Sequence, residues 1–107
     1  MNDKDRDLLY AQIADKAEAE LRRAHVKFGD PPTLPHAVEI LKEEVSEIVA
    51  IARGRDWGGS MLTRLEQEAT QTAAMALKIM VWAARARKKL QADPNANLQW
   101  PLGDEDW

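Results

Sequence analysis

The chain has 107 residues, of which 45% are apolar and 31% charged, with a net charge of −3 and no cysteine. This length sets a single small domain. The acidic balance argues against a general nucleic-acid binder, which normally carries a basic excess, and the lack of cysteine excludes disulfides and thiolate metal sites.

One Tyr and one Phe are present, and β-branched alternation is absent, so strands have little support. Apolar residues recur instead at helical spacing. A first helix is predicted through Leu9, Ile13, Ala17, Leu21, Ala24 and Phe28, stopped by "GDPP" at 29–32. Thr33 is placed to cap a second helix with Pro35 in its first turn. Its stripe is Val38, Leu41, Val45, Ile48 and Ala52, and it ends near "RGRDWGGS". Ser60 is the expected cap of a third helix carrying Leu62, Leu65, Ala69, Ala73, Ala76 and Met80, which runs to about Leu90 before "ADPNAN". The expectation is an all-α helical domain over 1–92 and an irregular tail over 93–107. Three helices make an incomplete bundle, and the third is apolar nearly all round over residues 73–84. A homodimer or a dimer of dimers is therefore expected to complete the bundle, with Met80, Val81 or Trp82 at the interface. That apolar run is too short to cross a bilayer and contains Lys78. "MNDKDRDLLY" lacks the apolar core of a signal peptide. A cytoplasmic protein with no membrane or nucleic-acid partner is expected.

The second helix contains "LKEEVSEI", with Glu43, Glu44 and Glu47 in eight residues. Glu43 and Glu47 are like charges at i,i+4, which repel by about 0.2–0.5 kcal/mol. With about 100° per residue, Val38, Leu41, Val45, Ile48, Val49 and Ala52 share one arc, the expected core side. Glu39, Lys42, Glu43, Ser46 and Arg53 share a solvated flank. Glu44 falls among Ile40, Ile48 and Ile51, with Glu47 at the edge of that patch. On the third helix, Glu68 has Met61, Thr72, Met75 and Ile79 around it, and Gln71 follows one turn later. An ionised carboxylate on a partly apolar face is costly unless it is paired or holds a metal. Two antiparallel helices that each carry acidic groups three apart can aim them at one point. The plain alternative is a solvated acidic face.

"EEVSE" followed by "EATQTAAMALKIM" resembles the MazG-like nucleotide pyrophosphohydrolases of the all-α NTP pyrophosphatase superfamily, in particular their short phage-type members. The family pattern is Glu-x-x-Glu on one helix and Glu-x-x-Asp on the next. Glu44-Val45-Ser46-Glu47 matches the first half. Glu68-Ala69-Thr70-Gln71 matches the second, with Gln71 where the family usually has Asp. The resemblance covers about residues 34–85. It implies a MazG-like bundle in which Glu44, Glu47, Glu68 and Gln71 hold Mg²⁺, with Mn²⁺ as a substitute. Glu44 and Glu47 would be catalytic, and a (d)NTP would be cleaved to (d)NMP and pyrophosphate. Glu43 is a weaker candidate for a supporting role. Gln71 brings an amide oxygen but no charge and no base. A non-catalytic nucleotide-binding or oligomeric helical interaction protein on the same fold is thus the alternative.

Lys78 either binds phosphate or lays its stem over core residues with its ammonium in water. Trp57, in "RDWGG", either stacks on a base or plugs the hairpin, and Arg53 and Arg55 beside it either reach phosphates or are solvated. His25 and His36 have no partner at zinc spacing. Trp100 and Trp107 suggest a tail anchored on the body or on a partner subunit.

Overall fold

In the computed structural model, which describes residues 1–55 and 58–100, the first helix begins before its apolar stripe does. α1 spans Asp3–Phe28. Asn2 caps it, its side-chain oxygen accepting the Asp5 N–H at 2.8 Å, and Asp3 and Asp5 complement the positive end of the helix. It stops at Gly29, whose φ of 69° suits a residue without Cβ and whose N–H donates to the His25 carbonyl at 2.8 Å. α2 spans Leu34–Ala52. Thr33 caps it as expected, its hydroxyl accepting the His36 N–H at 3.1 Å, and Pro35 occupies the first turn, where no helical N–H is lost. α3 spans Gly59–Ala92 with Gly58 at its N-cap and no side-chain cap. Ser60 lies inside the helix, so the expected serine cap is corrected to a glycine one.

The protein is all-α, with no strand among the described residues. No helix of the described residues is long and apolar enough to cross a membrane. The chain reverses between α1 and α2 and again between α2 and α3, giving an up-down-up order. α1 runs parallel to α3, in a register marked by Lys16 beside Glu66 at 3.9 Å and Asp30 beside Lys78 at 3.0 Å. α2 runs antiparallel to α3. Both outer helices pack along α3 and scarcely touch each other, so α3 forms the floor of an open channel between them.

The buried apolar residues described are few and mostly small: Ala17, Ala37, Ile51, Met61, Ala74 and Ala86. α2 turns Ala37, Ile40, Leu41, Glu44, Ile48 and Ile51 toward α3. The expected core arc is therefore rotated by about 80°: Val38, Val45 and Val49 lie outside, at 37%, 44% and 38% exposure. The reason is steric and topological. Ala37 lets α2 approach α3 closely, and the described residues include no further helix to cover the valines. The first half of α1 is likewise uncovered, with Tyr10 62% and Ile13 55% exposed.

The tail folds back along α3. Trp82 and Trp100 rings sit 5.8 Å apart, tilted by 56°. Trp82 Nε1–H donates to the Gln99 carbonyl at 2.8 Å, and Trp100 Nε1–H donates to the Pro31 carbonyl at 2.8 Å. Trp100 is thus anchored on the body of its own chain, which also occupies Trp82. Trp107 lies outside the described residues.

Candidate metal centre

Glu44 and Glu47 project from α2 three residues apart, and Glu68 meets them from α3. One carboxylate oxygen from each lies within 4.8 Å of the others. Glu44 and Glu68 are half-buried, and Glu47 is exposed. Glu44 Oε2 and Glu68 Oε2 are shut off from solvent and accept no hydrogen bond. Such oxygens are costly to leave without a partner. Glu47 is held above the ordinary carboxylate range, first by its hydrogen bond with Glu68, then by the charge of Glu68, then by burial. A divalent ion held between two such carboxyls would replace the proton that links them and satisfy both. The all-oxygen donor set suits Mg²⁺ or Mn²⁺. Glu43 stays exposed on the solvent side of α2.

Gln71 lies one turn beyond Glu68, rotated about 60° toward α1, and Gln67 lies about 100° round in the same sense. Both line a groove of about 710 Å³ between α1 and α3, opposite Lys16, Glu20 and Arg23. Arg23 donates to Glu20 through two nitrogens and holds the Glu20 carboxyl below its usual range. Glu47 is turned about 60° from Glu44 in the same chain sense as Gln71 is from Glu68. Because the two helices are antiparallel, both turns point to one side of the pair. The carboxylates and the α1–α3 groove therefore open into the same channel, and Gln71 stands at their junction.

Lys78 is engaged elsewhere. Its ammonium sits 3.0 Å from Asp30 Oδ1, donates to the Gly29 carbonyl at 3.2 Å and lies 3.4 Å from His25 Nδ1. Its side chain is only 12% exposed. The lysine clamps the negative end of α1 to the middle of α3, which differs from both a free phosphate ligand and a solvated ammonium. Trp57 lies outside the described residues. Sequence reasoning missed the groove residues Lys16, Arg23 and Gln67. They sit on helices whose pairing partner and register no short motif announces.

Comparison with known proteins adds no relative: no family model, no curated protein and no solved structure matches the chain.

Proposed function

We propose that the protein is a Mg²⁺-dependent nucleoside triphosphate pyrophosphohydrolase of the MazG-like kind, releasing a nucleoside monophosphate and pyrophosphate. The observation that carries this reading is the meeting of Glu44, Glu47 and Glu68 with two buried, unpartnered carboxylate oxygens. Glu44, Glu47 and Glu68 would hold the ion, with the Gln71 amide oxygen beside them. A bound Mg²⁺ supplies charge neutralisation to the phosphates.

The chain's own groups supply the rest. Glu47, the exposed member of the three, is the carboxylate that an attacking water can reach, and it is the one best placed to take a proton from it. Glu44 and Glu68, fixed by packing, keep the ligand geometry. The groove beside them carries Lys16 and Arg23, exposed cations that would exchange their carboxylate partners Glu66 and Glu20 for phosphate oxygens. It also offers the Gln67 and Gln71 amides, whose paired donor and acceptor fit a base edge. The mixed charge of the groove suits a metal-chelated triphosphate better than a bare polyanion.

One observation favours the second reading, a nucleotide-binding protein without turnover: Gln71 adds no charge to the cluster. Pyrophosphate release from a panel of ribo- and deoxynucleoside triphosphates, with and without Mg²⁺, separates the two. Metal-dependent release that Glu44→Gln and Glu68→Gln abolish supports the enzyme. Metal-dependent nucleotide binding with no release supports the second reading. Neither binding nor release overturns both.

A further inference from the structure

α1 ends level with Lys78, while α3 continues to Ala92, about 21 Å farther. The chain then turns back over that stretch. Asp93, followed by Pro94, builds the reversal. Its carbonyl accepts the Ala96 N–H and its carboxylate accepts the Asn95 N–H, both at 3.0 Å, with aspartate and proline at the places a tight turn favours. The returning tail reaches Trp82 and the connection between α1 and α2. There Trp100 packs against Trp82 and donates to the Pro31 carbonyl.

Three consecutive residues of that connection are thus held by side chains remote in sequence. Lys78 holds Gly29 and Asp30, and Trp100 holds Pro31. Pro31 is buried, and Trp82 and Trp100 are half-buried. Lys78 and Trp82 are four apart on one side of α3. With Gln71 they fall within about 40° of one another round the helix, about 10 Å and 16 Å beyond it along the axis. The two fastenings therefore form the end wall of the channel that the carboxylates open into.

α1 has little else to hold it. Ala17 alone among its residues is fully buried, and the helix scarcely touches α2. Its Lys16–Glu66 pair is exposed at both ends, where such pairs add little. A chain terminus is ordered where it is tied down, and this one is tied to the point where α1 is tied. We infer that residues 93–100 form a strap with Trp100 as its latch, and that α1 stays seated along the channel while the latch is shut. Release of Trp100 loosens the connection, and α1 then parts from α3 more often, opening the groove lined by Lys16, Glu20 and Arg23. α2 and the three carboxylates stay packed. The strap uses none of the metal-binding groups, so it stands independently of the proposed activity.

Hydrogen exchange on the full chain, read by mass spectrometry, tests this. Trp100→Ala is expected to speed exchange of the amides over 17–28 about tenfold or more, while the second half of α2 and α3 over 61–75 stay within about threefold of native. Trp100→Phe keeps a ring against Trp82 but loses the N–H donated to the Pro31 carbonyl. It is expected to show the same regional pattern at a smaller rise. Val26→Ala, at a position 87% exposed and two residues from the end of α1, is expected to leave every helix at the native rate. Native exchange over 17–28 in Trp100→Ala overturns the inference. So does a rise shared equally by all three helices, which would make Trp100 a general contributor to the fold rather than a latch on α1.

Discussion

Replacing Glu44 with Gln is expected to reverse how the protein answers to divalent cations. The substitution keeps the side-chain shape and removes one of three charges whose oxygens lie within 4.8 Å of one another. Two unit charges at that spacing repel by about 0.9 kcal/mol in bulk water and about 3.5 kcal/mol at an effective dielectric of about 20. Glu44 is half-buried and faces two such neighbours, one of them open to solvent and its counterions. The variant is therefore expected to gain about 1–2 kcal/mol when no metal is present, toward the low end of those limits. For a chain of this size, 1 kcal/mol moves Tm by about 4–8 °C. The native protein regains the difference by mass action, about 1.4 kcal/mol at tenfold excess over Kd and about 2.7 kcal/mol at a hundredfold. Thermal melts of both proteins in chelator and across a Mg²⁺ titration near neutral pH check this. The curves should cross, with the variant higher in chelator and the native protein higher at saturating Mg²⁺. A native protein that is the more stable of the two in chelator refutes the reasoning. So does an identical Mg²⁺ shift in both, which would leave the carboxylates as a plain solvated edge.

Glu47 sets a pH dependence. Its folded-state pKa lies above the ordinary value of 4.5, so its proton stabilises the fold below that value and the benefit is lost as pH rises through the raised one. The Mg²⁺-induced rise in Tm should grow over the same window, and a rise that is flat with pH between about 4 and 7 would contradict the shared proton. Gln71→Asp adds a charge at the junction of the carboxylates and the groove. Tighter Mg²⁺ binding with faster pyrophosphate release marks a weakened ligand set, and loss of both marks Gln71 as a working part. An unchanged titration and turnover would place Gln71 away from the metal. Lys78→Met should cost about 1–3 kcal/mol by stranding Asp30 and leave the Mg²⁺ response intact. Nucleotide binding lost at unchanged Tm would restore Lys78 to a phosphate role.

Much of this fold is legible in the sequence because its signals are local. Thr33 with Pro35, and "GDPP" around Gly29, fix helix ends through the chemistry of a few neighbouring atoms. The placement of Glu44 among isoleucines follows from the same short-range periodicity, and Glu44, Glu47 and Glu68 do converge. What escaped depends on partners distant in the chain. The valines of α2 have the strongest apolar pattern, yet α3 takes the alanine and isoleucine face. Spacing gives the phase of a helix but not the direction of its neighbour. Lys78 reads as an anomaly in an apolar run because the end of α1 that it clamps is a tertiary fact. Ser60 is a good cap by type, but the helix begins two residues sooner, with Gly58 at its N-cap.

α1 has one buried residue, Ala17, with Leu21 and Ala24 half-covered and everything before Ala17 exposed. Its attachment to α3 relies on the Lys78 clamp and the exposed Lys16–Glu66 pair. Local opening free energy follows buried contact, so the backbone amides of α1 should exchange with solvent well ahead of those of α2 and the middle of α3. The channel between them then has one stiff wall and one compliant wall. Glu44, Glu47 and Glu68 keep their spacing on the stiff side, while Lys16, Glu20 and Arg23 ride on a segment that opens and recloses many times within one lifetime of the folded bundle.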